Sequence, residues 1–244
     1  KAIMPGTASQ RCIESNHALS QRFKAVPGDP NNPIHQDLEE ALRFVRIDFA
    51  LNVIASHRRE VLEAYAGDVQ EVHRQGVKAA ARRFFVPVDP MYDLVIASAG
   101  GHPKDAQLYQ AVKTLQNAAA FAAPGAPIVL VARCEEMFGN GLFQYWVETV
   151  ADRAAIVRKL SERFVLGAHK ISHLDEVLRE HPVYLHSDMP EPLTELAGFW
   201  SARDLNATVA RIIGQGIRHV AVMPYGSLTF PRPEQADRTP KSSF

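Results

Sequence analysis

Four short apolar runs between Asp93 and Pro224 constrain this chain more than any other feature. They are "DLVIAS" (93–98), "PIVLVAR" (127–133), "VYLHS" (183–187) and "HVAVMP" (219–224). Each is apolar without the in-out alternation of a half-exposed strand, so both of its faces need cover. The stretches between them, 103–122, about 142–163, about 172–180 and 203–213, carry helical spacing instead. Strands alternating with helices in this way predict an α/β fold, with a Rossmann-like parallel sheet and helices on both faces over residues 93–223.

Upstream the pattern is looser. "FFVPVDPMYD" (84–93) reads as a boundary, because its prolines stop whatever precedes them. Residues 1–88 form the remaining part of a second, incomplete domain, to which the polar tail 224–244 returns. Its first 35 residues are rich in breakers, with room for a short helix around Arg11 to Phe23. A helix follows from Gln36, with Leu38, Ala41, Leu42 and Val45 at helical spacing. "DFALNVIAS" reads as a strand, and "REVLEAYAGDVQEVHRQGVKAAARRF" as helix, interrupted near Gly67 and Asp68.

Bulk properties exclude several classes of function. Of 244 residues 46% are hydrophobic, which suffices for a real core, and 27 acidic residues balance 27 basic ones. Without a basic stripe there is no sequence-independent grip on nucleic acid. No apolar stretch approaches the roughly 20 residues of a membrane span. Cys12 and Cys134 are the two cysteines, far apart and without a CxxC spacing, which fits a reducing, cytoplasmic setting.

The turn after the first strand is the most informative local feature. In "SAGGHPKDAQLYQAVKTL" (98–115) Gly100 and Gly101 let the backbone turn sharply and approach a ligand, with His102 lining the turn. Pro103 and Asp105 suit a helix start, where free N–H groups favour anions. Leu108, Val112, Leu115 and Ala119 make the core stripe of that helix. Gln110 and Lys113, three apart, share another face, where an amide beside an ammonium can receive a carboxylate. On spacing alone they are equally ordinary solvated residues, and "AGGHPKD" lacks the GxGxxG of a dinucleotide site.

This block, with "GAPIVLVARCEEMFGNGLFQYWV" after it and "NPIHQDLEEALRFVRIDFALNVI" and "AGDVQEVHRQG" before it, resembles the nickel-dependent lactate racemase family. The resemblance implies a racemase or epimerase of a small, lactate-like 2-hydroxy acid. It implies as cofactor a nickel-pincer nucleotide, a pyridinium thioamide/thiocarboxylate mononucleotide tethered to a lysine, with Ni ligated by a histidine sixteen residues later. Lys1 and His17 match that pair, with Pro5-Gly6 between them. Gln110 and Lys113 match the substrate contacts, and Tyr109 accompanies them. The implied reaction is a hydride relay: the substrate C–H hydride moves to the cofactor as the hydroxyl loses its proton. Hydride return to the other face of the bound 2-keto acid gives the opposite enantiomer.

The family's acid and base histidines precede the tethering lysine, so the resemblance implies an N-terminal segment before Lys1 and no catalytic histidine within this chain. On that expectation the chain alone holds cofactor and substrate without completing racemisation. Two other readings stand beside it. One is a non-catalytic, racemase-like module binding a small carboxylate or a protein partner, and the other a dehydrogenase using a free nicotinamide nucleotide. A homo-oligomer is left open. "HKISH" spaces His169 and His173 four apart, but without a third ligand it reads as a solvated turn. Cys134 reads as a small packing residue.

Overall fold

The computed structural model describes residues 3–23, 25–88, 91–150 and 152–232. Its front segment opens with α1 (Gln10–Ala18), capped by Ser9, and α2 (Pro33–Glu40), capped by Asn32 with Pro33 at the first position. Buried Asn16 ties the two helices, donating to the Ile34 carbonyl and to Asp37 at 2.9 Å each. An antiparallel hairpin follows, β1 (Ala50–Ala55) and β2 (Val61–Gly67), and then α3 (Val69–Phe84) and β3 (Phe85–Val86). Asp68 caps α3 by accepting from the N–H groups of Gln70 and Glu71.

The hairpin corrects one expectation. Residues 61–67 form a strand rather than the first half of a long helix, because pairing with β1 outweighs the helix propensity of Leu62, Glu63, Ala64 and Ala66.

The second part is a five-stranded, wholly parallel sheet. Its strands are β4 (Leu94–Ser98), β5 (Ile128–Val131), β6 (Val183–His186), β7 (Trp200–Ser201) and β8 (Val220–Met223), in the order β7-β6-β5-β4-β8. Four of these lie within the four apolar runs, and the two-residue edge strand β7 was not expected. Between them run α4 (Leu108–Ala119), α5 (Gly141–Thr149), α6 (Arg153–Glu162), α7 (Lys170–Glu180), α8 (Glu191–Leu196) and α9 (Leu205–Ile213).

One face of the sheet carries the main core, in which Val95, Ala97, Ile128 and Leu130 meet Leu108, Leu115, Phe138 and Phe143. On the other face Leu94 and Val129 pack on Ile212 of α9, and the cover is thinner: Val222 remains 65% exposed. After β8 the chain passes to β9 (Phe230–Pro231), which lies parallel to β3 of the front segment. No helix among the described residues is long and apolar enough to cross a membrane.

Candidate active site

Strand β4 leads straight into the glycine turn. Gly100 and Gly101 have φ of +91° and +82°, conformations that L side chains rarely adopt, and a Cβ at Gly100 would sit 3.4 Å from the Tyr225 ring. The turn therefore rests against the segment that follows β8, and Tyr225 in turn stacks on His57 of the β1–β2 loop, centroids 4.1 Å apart. His102 is exposed and faces Glu135, with its carbonyl accepting from Arg59.

The helix after the turn starts later than Pro103 suggests, at Leu108. Its first N–H groups are already engaged: Leu108 donates to the Met137 carbonyl at 2.9 Å and Tyr109 to Phe138 at 3.2 Å. Asp105 precedes the helix, and its carbonyl accepts from Cys134. The expectation of open helix N–H groups for an anion is thus overturned at these two positions, and α4 offers its side chains instead.

Those side chains converge. Lys113 donates to Gln110 Oε1 at 2.8 Å, which leaves the Gln110 amide N–H₂ free of that bond for another acceptor. Across from them α7 packs against α4. Lys170, at the start of α7, is buried, with its ammonium 5.9 Å from the Tyr109 ring centre and 3.4 Å from His173 Nδ1. Burial lowers the Lys170 ammonium to about 8, and the nearby charge of Lys113 adds to that. His173 is held down to about 4 by burial and then by Lys170, and Tyr109 is pushed up by burial.

His17 of α1 meets this cluster from the front segment, its ring 6.2 Å from that of His169. Its Nδ1 lies 2.8 Å from the Ile13 carbonyl. A carbonyl only accepts, so Nδ1 carries a proton, and of the two neutral tautomers this contact selects the one with its lone pair on Nε2, which a metal ligand needs. His169 is buried, 5.1 Å from Phe164 by ring centres, and its Nδ1 accepts from the Gly167 N–H. Burial holds it neutral, down to about 3. A cavity of about 200 Å³ opens beside it, lined among others by Ser20, Gln21, Val157, Ser161, His173 and Glu176. A larger open hollow by Glu39, Glu40, Arg43 and Gln70 holds none of the residues singled out.

Of the sequence candidates, then, Gln110 and Lys113 lie together on α4, and His17 approaches the same group through His169. Lys1 lies outside the described residues. The solvated-turn reading of "HKISH" is overturned: His169 and Lys170 are buried and His173 is half-buried, because α4 and the segment around α1 cover that end of α7. Sequence reasoning missed Lys170 entirely. The signal was a lysine between two histidines followed by Ile171 and Leu174 on the apolar face of the helix. Among the described residues no group of three or more His, Cys, Asp or Glu is arranged to hold a metal by itself. Cys134 is buried with its thiol pushed up to about 12, an inert packing residue.

The parallel α/β unit thus gathers an amide, two lysines and three histidines around one helix seam. The chain belongs to the lactate racemase C-terminal domain family, whose model matches residues 89–226, more than half of its length. It is 27% identical to the lactate racemase of Thermoanaerobacterium thermosaccharolyticum over 225 residues, 89% of this chain and 51% of that protein. Identity to the lactate racemase of Lactiplantibacillus plantarum is 31% over 155 residues, covering 62% of this chain and 36% of that one. The solved lactate racemase apoprotein from T. thermosaccharolyticum superimposes with a TM-score of 0.83 at 25% identity, over 94% of this chain and 57% of that chain. A protein from Thermotoga maritima, 14% identical with a TM-score of 0.68, shares the fold. The chain thus spans about half the length of the first of these relatives.

Proposed function

We propose that this chain contributes the cofactor- and substrate-holding half of a cytoplasmic racemase or epimerase acting on a small 2-hydroxy acid. The observation that carries the proposal is the Gln110–Lys113 pair on one face of α4, in a chain that belongs to the lactate racemase C-terminal domain family. Lys113 supplies charge to the substrate carboxylate, and the Gln110 amide fixes its orientation. Both relatives named lactate racemase support a 2-hydroxy acid as the substrate class.

The donor set fits a nickel-pincer nucleotide in one testable respect. His17 is held by the Ile13 carbonyl in the tautomer that presents Nε2 to a metal, and a neutral imidazole suits Ni(II). In this reading Lys1 tethers the nucleotide and His17 ligates its nickel. When bound, that group supplies the hydride-accepting centre. The protein's part is to orient the substrate against it and to keep water out of the seam beneath Tyr109, Phe164 and His169.

The test uses the protein purified from its native cells, where the cofactor can be made. Intact mass and peptide mapping should show a nucleotide-sized adduct at Lys1, and chiral chromatography should show interconversion of the lactate enantiomers. Lys113→Met should lower kcat/KM about 100-fold, the loss of a charged contact to substrate. A bare mass with no racemisation sinks the enzymatic reading and leaves a carboxylate-binding module.

A further inference from the structure

The order of the five-stranded sheet sets one place apart. From β4 the chain steps outward through β5 and β6 to β7, then crosses back to β8 on the far side of β4. The loops leaving the carboxyl ends of β4 and β8 therefore diverge, and in open parallel sheets that crevice is where ligands bind. Here the glycine turn stands on one side and Tyr225 on the other, with the β1–β2 loop seated on both through Arg59 and His57. None of these residues has a part in the function proposed above.

Two cations meet at the turn. Arg59 donates to the His102 carbonyl at 3.3 Å, and the Lys104 backbone N–H closes the turn on the Gly101 carbonyl at 3.0 Å. The Lys104 side chain is half-buried, and its ammonium is lowered by burial and then by the charge of Arg59. Among the described residues neither side chain has a carboxylate within ion-pair distance. The acids nearby in sequence are turned to other partners: Glu60 to Ser56, and Glu135 to Arg133 at 3.0 Å and more loosely to His102. Asp105 acts on Arg133 and Cys134. Two like charges held together cost free energy, the more so where one is partly withdrawn from water. Arg59 adds a second cost, since its φ of +64° is a left-handed conformation that suits few side chains.

The backbone of the turn is short of partners as well. Gly101 and His102 donate their N–H groups to no other described residue, and a Cβ at Gly101 would meet nothing within 4 Å. Behind the turn the Ser227 hydroxyl is buried with no partner among the described residues, 3.7 Å from where a Cβ at Gly100 would lie. Successive free N–H groups beside cations make an anion cradle. Two cations and two N–H groups exceed what the two oxygens of a carboxylate can use. They match a phosphate group, with at least three acceptor oxygens and about two negative charges.

We propose that the glycine turn, with Arg59 and Lys104, binds a phosphate group, either inorganic phosphate or the phosphate of a small phosphorylated molecule. Arg59 and Lys104 supply the charge, and the Gly101 and His102 N–H groups fix the oxygens. The site joins the front segment, which supplies Arg59, to the sheet, which supplies the turn.

Isothermal titration of the natively purified protein with inorganic phosphate, at fixed ionic strength, should give a Kd of about 1 mM or tighter. Ribose 5-phosphate separates the two sources. Tighter binding than phosphate identifies a phosphorylated ligand, equal or weaker binding identifies free phosphate, and both uphold the site. Arg59→Gln and Lys104→Gln should each weaken phosphate at least about tenfold, the loss of one charge-assisted contact. Arg58→Gln removes the neighbouring exposed cation and should change phosphate affinity by less than about twofold. Failure of both probes to bind overturns the proposal, and so does acetate binding as tightly as phosphate. An equal loss in all three variants overturns it too, since that marks diffuse attraction to a basic loop. L-lactate should not displace phosphate; if it does, phosphate sits at Gln110 and Lys113 and the proposal falls. If the variants do not fold, the wild-type protein still answers. The Gly101 and His102 amide resonances should shift on titration with phosphate, and resonances that stay in place overturn the assignment.

Discussion

The two strand systems of this protein treat the same residue types in opposite ways. In the five-stranded sheet Leu94, Val95, Ile128, Val129 and Leu130 are wholly buried, whereas in the β1–β2 hairpin Leu51, Val53 and Val61 are 44–68% exposed. The parallel sheet gains its stability from apolar area removed from water on both faces. The hairpin is held by its backbone ladder and by α3 against one side, and its other face carries exposed aliphatic side chains. The site draws on both systems. Gln110, Lys113 and Lys170 stand on helices seated on or beside the rigid sheet, and His17 arrives from the front segment. Charged groups need fixed placement to work against desolvation, and the sheet provides it.

The sharpest way to break this comparison is to cut into the better-packed side. Leu130→Ala leaves a hole between β5 and the helices above it and should cost about 2–5 kcal/mol. Urea unfolding followed by circular dichroism measures it. A loss below about 1 kcal/mol would mean that the sheet core is loose and the contrast false.

The same contrast governs what the sequence revealed. The four apolar runs located β4, β5, β6 and β8 because a doubly covered strand must be apolar throughout, and that property is local. The strand β2 was misread because "LEAYAG" suits a helix in isolation, and what makes it a strand is its partner seventeen residues upstream or less. At the site, Gln110 and Lys113 were legible from helical spacing joined to a family resemblance. Lys170 was not, because its burial comes from α4 and the front segment closing over the start of α7. The lysine between two histidines ahead of Ile171 and Leu174 hints at an apolar helix face, but that pattern does not by itself place the ammonium out of water. The late start of α4 has a similar origin: its first N–H groups are satisfied by the 137–138 loop, about 30 residues away in sequence.

A second test works through pH and reports on the seam rather than the sheet. His173 falls from 6.5 to about 4 on folding, chiefly through burial and then through Lys170. Between those values the unfolded chain binds a proton that the folded chain excludes, so stability falls as pH drops from about 6.5 toward about 4. Above about 6.5 both states are neutral and His173 contributes no slope. The effect should amount to roughly 1–3 kcal/mol across that window. Urea midpoints measured from pH 7 to pH 4 should decline more steeply in the wild type than in His173→Gln. Equal slopes would show that water reaches His173 and that the seam is open where the sheet is closed.

The smallest expected effect lies in the hairpin and carries the other half of the comparison. Val53 is 44% exposed on β1, opposite Ala64 of β2. Val53→Thr keeps the branched shape that suits a strand and exchanges a methyl, already partly in water, for a hydroxyl. It should change stability by less than about 0.5 kcal/mol, as surface substitutions do. At a doubly covered position such as Val129 the same exchange would bury a hydroxyl that has to find a partner, at a cost of about 1–3 kcal/mol. If Val53→Thr instead proves as costly as a core change, the exposed face of the hairpin is covered in solution. The front segment would then be as tightly packed as the sheet, and His17 would owe its position to that hidden contact.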